Sequence, residues 1–312
     1  MIALLGLILL IAGGEVLVRN SSALAIKASV PPLIVGLTVI SIGTSTPELF
    51  TSLQAAWNGV AGISVGNVIG SNIANLGLAL GLTAVVKPII FDKKVLALDF
   101  PTLIVVTALF GLMAIDGLFS FIDGLILVGA LVIYTAIQIR RSRRLKLMTT
   151  VHVSEFEVLD DEIKLSYFTL IMGITLGCVL LYFGADFFID GAVVIAEKLG
   201  VSEFIIGVTV VAFGTSVPEI FTSVFAALKG EGDLSIGNLI GSNVMNILLV
   251  LGGTSLTTDV PVEAQVMSND YWWMLGAAVL LYPILKRGSN VNRLQGALYV
   301  CFYIAYVWIA FG

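Results

Sequence analysis

Two carboxylates, Glu48 and Glu219, each close the same short string inside an apolar run. The first string is Gly43-Thr44-Ser45-Thr46-Pro47-Glu48, in a run from Val30 to Trp57; the second is Gly214-Thr215-Ser216-Val217-Pro218-Glu219, 171 residues later. A carboxylate at a bilayer centre costs roughly 2.5–3.5 kcal/mol on insertion scales, so an acid kept there usually has work to do. Proline breaks the helix it stands in, because it has no N–H for the carbonyl four residues back and its ring crowds that carbonyl. Each string therefore gathers a carboxylate, hydroxyls and a freed backbone carbonyl within one turn. Thr44 and Glu48, four apart, share a helical face. These are hard oxygen donors of the kind that bind Na⁺, Ca²⁺ or Mg²⁺. The chemistry they suit is the taking up and release of a cation. Nothing in the chain suggests an enzyme or a cofactor: there is no phosphate-binding loop and no zinc-ligand spacing, and the single histidine, His152, stands in a polar stretch. No nucleic-acid partner is expected.

The elements that must hold such groups are membrane helices. Hydrophobic residues make up 58 % of the chain and charged residues 12 %, with mean hydropathy +1.05. Soluble domains carry about 25 % charge. The apolar runs are continuous and about twenty residues long, as helices need, rather than alternating as in an outer-membrane barrel. Ten spans are predicted, at 2–18, 30–57, 62–86, 95–114, 118–139, 166–190, 200–228, 233–256, 271–285 and 294–311. The second and seventh are too long for one straight crossing, and a break at each proline accounts for the excess. The first lacks the basic flank of a secretion signal and reads as a mature helix. Cys178 and Cys301 fall in apolar helices and read as buried thiols.

Positive charge tests the count. With the N-terminus outside, fifteen of the sixteen Lys and Arg, Arg19 and Lys27 among them, fall in cytoplasmic connections and only Lys198 falls outside. Both termini are thus expected on the extracytoplasmic side of an inner or plasma membrane. The polar linker 140–165 is expected in the cytoplasm.

The repeat is the stronger signal. Residues 30–81 align on 201–252 without a gap, with about half of the positions identical, far beyond shared hydrophobicity. A first half over 1–139 and a second over 166–312 each hold five spans. An odd number makes the second half enter the membrane from the opposite side, and inverted repeats in transporters place the site at the midplane between broken helices. A second motif follows the first in each half: Gly66-Asn67-Val68-Ile69-Gly70-Ser71-Asn72-Ile73-Ala74-Asn75, and Gly237-Asn238-Leu239-Ile240-Gly241-Ser242-Asn243-Val244-Met245-Asn246. Ser71 and Asn75 share a face, as do Ser242 and Asn246. The glycines admit close neighbours. Asn75 and Asn246 read equally as ion contacts or as interhelical hydrogen bonds. Asn67 and Asn238 read as packing or capping groups. Glu15 and Asp186, near span ends, suit a structural or entry role.

The doubled pair of motifs resembles the two α-repeats of the Ca²⁺/cation antiporter superfamily, above all its prokaryotic Na⁺/Ca²⁺ exchangers, over essentially the whole chain. The resemblance implies an all-α membrane protein of ten helices, two inverted five-helix halves with helices 2 and 7 broken, and four central cation positions. It implies that Glu48 and Glu219 share Ca²⁺, with the carbonyls of Thr44 and Thr215. Ser45, Ser216, Ser71, Ser242 and the carbonyls of Ser41 and Ala212 would hold Na⁺, and Asn75 and Asn246 the middle position. Relatives often carry Asp where this chain has Asn246, which leaves stoichiometry and coupling ion open. The expected function is Na⁺/Ca²⁺ antiport by alternating access, with Ca²⁺/H⁺ antiport as the alternative and a passive cation channel behind it.

Overall fold

The computed structural model describes residues 2–148, 165–198, 214 and 216–311. Ten helices run through them: α1 (Ile2–Ala28), α2 (Pro32–Trp57), α3 (Ile63–Val86), α4 (Lys93–Met113), α5 (Phe121–Met148), α6 (Tyr167–Lys198), α7 (Val217–Leu228), α8 (Gly232–Ser255), α9 (Tyr271–Arg287) and α10 (Arg293–Phe311). Eight of them, all but α7 and α9, are long and apolar enough to cross a membrane. A π-helical turn, Val266–Asp270, leads into α9. The start of the seventh predicted span and the middle of the linker lie outside the described residues.

Three boundaries differ from expectation, one of them in α6, which runs on to Lys198 rather than ending at 190. α1 continues ten residues past 18, so Arg19 lies within a helix rather than in a connection. Its extra turns, Ser-Ala-Leu-Ala-Ile-Lys, carry good helix formers, and Asn20 packs on Gly173 of α6. α5 likewise runs on to Met148, through the basic run at the start of the expected 140–165 linker. Cys178 is partly buried, whereas Cys301 lies exposed on α10.

Four two-residue strands, absent from the sequence reading, join the halves. β1 (Ile89–Ile90) follows α3, β2 (Leu118–Phe119) precedes α5, β3 (Val260–Pro261) follows α8 and β4 (Asn290–Val291) precedes α10. β1 pairs antiparallel with β4, Ile89 opposite Val291; β2 pairs with β3, Leu118 opposite Pro261. β3 is the repeat mate of β1, so a two-fold operation turns one ribbon into the other. Strands can pair only if they lie at the same end of the helices. Ten alternating helices put β1 with β4 at one end and β2 with β3 at the other, as an inverted repeat demands.

The most buried helices are α8 and α3: their best 18-residue windows are 94 % and 83 % buried, against 17 % for α10. They form the centre, and α2 crosses α8 at backbone contact. A Cβ at Gly36 would strike the Leu234 carbonyl, and one at Gly237 the Leu33 carbonyl. α1 and α6 form a separate antiparallel pair on the flank. Gly6 and Gly13 of α1 meet α6 at Phe188 and Leu181, and Gly177 and Gly184 of α6 meet α1 at Leu17 and Leu10.

The ribbons give a direct test of topology. Cysteines at exposed Asn58, in the α2–α3 turn, and exposed Ser289, beside β4, should react with an impermeant maleimide from opposite faces of the membrane when Cys178 and Cys301 are replaced by Ala. Reaction from one face would contradict the inverted arrangement.

Candidate functional site

Both breaks form where the prolines require them. α2 is helical to Thr44, pauses at Ser45 (φ −86°, ψ 3°) and resumes at Thr46 with Pro47 in its first turn. Ser216 (φ −89°, ψ 0°) and Pro218 do the same before α7. The restarted helix then puts Glu48, and in the other half Glu219, in a first turn, where unpaired N–H groups favour negative charge. π-helical turns begin at Asn75 in α3 and Asn246 in α8. Such turns are rare and gather at functional sites. The turn bearing Asn246 packs on the helix bearing Glu48, and the turn bearing Asn75 on the helix bearing Glu219. Each half thus supplies the carboxylate for the other's amide.

A doubled set of hydrogen bonds holds each broken helix to its neighbour. Ser64 Oγ donates to the Ser52 carbonyl (3.2 Å) and Asn67 Nδ2 to Ser52 Oγ (3.1 Å). Ser235 and Asn238 do the same to Ser223, at 2.9 and 3.0 Å. Asn67 also donates to the Glu48 carbonyl (3.3 Å). Across the halves, Ser41 Oγ donates to the Gly36 and Asn238 carbonyls (2.6 and 3.1 Å). Thr44 Oγ1 meets Asn238 Oδ1 (3.3 Å) and Ser242 Oγ (3.2 Å). Asn67 and Asn238 therefore pack helices together, as read, and Asn238 bridges the halves as well.

Inside this frame lies a group of buried oxygens with nothing to bind. Among the described residues, both oxygens of Glu48 and of Glu219 lack a hydrogen-bond partner, as do Ser45 Oγ, Ser216 Oγ, Thr222 Oγ1, Asn246 Oδ1 and the whole amide of Asn75. Every one of these residues is fully buried. The charges of Glu48 and Glu219 act on one another. Leaving a buried polar atom unpaired costs about 1–3 kcal/mol, and more for a charge. Such a cluster persists only if something else satisfies it, and a donor set of carboxylate, hydroxyl and amide oxygens fits a hard cation.

The structure thus brings together Glu48, Glu219, Thr44, Ser45, Ser216, Ser242, Asn75 and Asn246. Ser41 and Ser71 are buried as well, although the Ser41 carbonyl already accepts the Ser45 N–H (2.9 Å). Thr215 and Ala212 lie outside the described residues. Glu15 does not join the group. It is exposed on α1, at mid-helix rather than near an end, with Lys229 Nζ 3.7 Å away. Four groups escaped the sequence reading: Ser52 and Ser223, Thr222, and Asn72, discussed below. The doubling of Thr51-Ser52 as Thr222-Ser223 was the signal for the first three.

The halves differ in what covers them. On α7, Pro218 and Thr222 are buried, and Phe221 and Phe225 lie under Gly14 of α1. At the same end Glu231 is buried beside Ser22 of α1, and burial pushes its carboxyl above the usual range. On the matching face of α2, Phe50 is 61 % exposed, and Thr51 and Gln54 are exposed too. The glycines at the breaks agree: Gly43 packs on Cys178 and Gly214 on Ile189, both of α6, whereas an unbroken two-fold would set Gly214 against Leu7 of α1. The α1–α6 pair is displaced toward α7 and away from the second half of α2.

Two inverted halves around buried, unpaired acids at broken helices are the architecture of a cation antiporter. The comparisons with known proteins assign the chain more closely: it belongs to the sodium/calcium exchanger protein family, whose profile matches residues 1–140 and 169–312. The inner membrane protein YrbG of Escherichia coli is 33 % identical, over 98 % of this chain and 94 % of its own. The sodium/calcium exchanger MaX1 of Methanosarcina acetivorans is 29 % identical, over 100 % and 98 %. Among solved structures, the sodium-calcium exchanger NCX_Mj soaked without Na⁺ and Ca²⁺ superposes with a TM-score of 0.83 at 34 % identity, covering 99 % of this chain and 97 % of that one.

Proposed function

We propose that this protein exchanges Na⁺ for Ca²⁺ by alternating access, with Glu48 and Glu219 as the shared carboxylates. The observation that carries the reading is the cluster of buried oxygens without partners around the two acids. Two ionised carboxylates carry about −2. One Ca²⁺ or two Na⁺ neutralises them, so the two loads compete for one site, and an empty site leaves like charges buried, which opposes crossing unloaded. A third Na⁺ would make the cycle electrogenic. The carbonyls of Thr44 and Thr215 complete the Ca²⁺ position. Ser45, Ser216, Ser71 and Ser242, with the carbonyls of Ser41 and Ala212, serve Na⁺, and Asn75 and Asn246 line the middle.

The uneven cover of α2 and α7 supports alternating access. With the termini outside and the 140–165 linker in the cytoplasm, the exposed face of α2 opens toward the extracytoplasmic side while α1 seals the cytoplasmic one. YrbG, by its name an inner membrane protein, supports placement there.

The test is ⁴⁵Ca²⁺ uptake into proteoliposomes with Na⁺, K⁺ or H⁺ gradients imposed in turn. Uptake should require internal Na⁺ and cease with K⁺ alone. Uptake driven by a proton gradient would assign Ca²⁺/H⁺ exchange instead, and uptake without any counter-ion a channel.

A further inference from the structure

Asn246 opens the π-helical turn of α8, and its amide is not free to turn. Three buried asparagines form a chain between α3 and α8. Asn72 Nδ2 donates to the backbone carbonyl of Asn243 (3.3 Å), with Met274 Sδ at 3.6 Å. Asn246 Nδ2 donates to Asn72 Oδ1 (3.1 Å). The order of donors is fixed from one end. A backbone carbonyl only accepts, so the Asn72 atom facing it must be the NH₂. Asn72 then turns its oxygen to Asn246. That oxygen also only accepts, so Asn246 must answer with its own NH₂. Its Oδ1 is left pointing away, buried and without a partner among the described residues.

The other half lacks this clamp. The repeat mate of Asn72 is Asn243, whose Nδ2 turns back to the Leu239 carbonyl of its own helix (2.7 Å). Both amide atoms of Asn75 are unpartnered among the described residues. One middle amide is held in a single orientation and its mate is not.

We infer that Asn72 is a positioning residue for the transported cation: it locks the Asn246 amide so that a neutral oxygen, never the NH₂, faces the ion. Free rotation would present hydrogen atoms to a cation in half of the orientations and repel it. The clamp supplies by geometry what a carboxylate supplies by charge, since both oxygens of a carboxylate accept. The inference rests on the exchanger reading and adds to it a residue that touches no ion.

A double-mutant cycle on the purified protein tests it, read as ⁴⁵Ca²⁺ binding and as exchange kinetics. Asn72→Leu, of similar size, and the smaller Asn72→Ala are each made in the parent and in Asn246→Ala, so that a variant that fails to fold leaves the other to close the cycle. In the parent, either change should weaken Ca²⁺ binding by about 5- to 10-fold, the scale of one hydrogen bond, raising the apparent KM with the maximal rate kept within about twofold. In Asn246→Ala the same change should do nothing further. Losses that multiply would show that Asn72 only packs α3 on α8 and would overturn the inference alone. A parent that binds neither Ca²⁺ nor Na⁺ would overturn the exchanger reading and the inference with it.

Discussion

Glu48→Gln and Glu219→Gln should each abolish Ca²⁺ exchange while the protein still inserts and folds. Glutamine keeps the shape and the hydrogen-bonding groups and removes one charge. The site then opposes about −1 to a divalent ion in a place from which water is excluded. Removing one member of a buried ionic set costs about 3–5 kcal/mol, so exchange should fall by ~10²- to 10⁴-fold, below detection in a flux assay. A second measurement separates function from folding. In ion-free buffer the parent holds two unpaired buried carboxylates, and each variant only one. The variants should therefore melt higher than the parent without ions, and gain less when Ca²⁺ is added, because ligand stabilisation scales with binding. Near-normal exchange by either variant would return that glutamate to a packing role.

Thr51 and Thr222, repeat mates one turn beyond the two acids, should behave as opposites. Thr51 is exposed and Thr222 fully buried. With Cys178 and Cys301 replaced by Ala, Thr51→Cys should react with an impermeant sulfonate reagent applied outside and lose exchange as the added group fills the crevice. Thr222→Cys is reachable only if the helices packed on α7 move apart. An opening that costs ~1.4 kcal/mol or more slows reaction by about tenfold or more. Ion gradients that drive the site to the cytoplasmic face should invert the order, protecting residue 51 and exposing residue 222 from inside. Equal reactivity of the two positions under both conditions would contradict alternating access.

Much of this was legible before any coordinates. The doubled Thr-Ser-x-Pro-Glu string located the breaks, because proline acts on the backbone locally, and the repeat with odd spans implied the inversion. The parts that stayed hidden depend on long-range geometry. Ile89–Ile90 and Asn290–Val291 look like ordinary loop residues, since two-residue strands have no period to detect. Asn72 does not stand out in the sequence because its role lies in which atom faces which, and amide orientation leaves no trace in spacing. The true length of α1 was hidden too. Arg19 and Lys27 read as marks of a loop, yet a long basic side chain reaches water from the last turn of a helix, as at Lys27, or from an exposed helix face, as at Arg19. Nor could the displacement of α1 and α6 be foreseen. A repeat in sequence predicts symmetry, and this feature is the departure from it.

The two ribbons also bear on ancestry. Neither pairs strands of the same half: β1 finds its partner in β4 and β2 in β3, always across the duplication. A five-helix ancestor standing alone would have left all of its strand edges open. Two copies inserted in opposite senses would have closed them by exchange, like two hands clasped at both wrists.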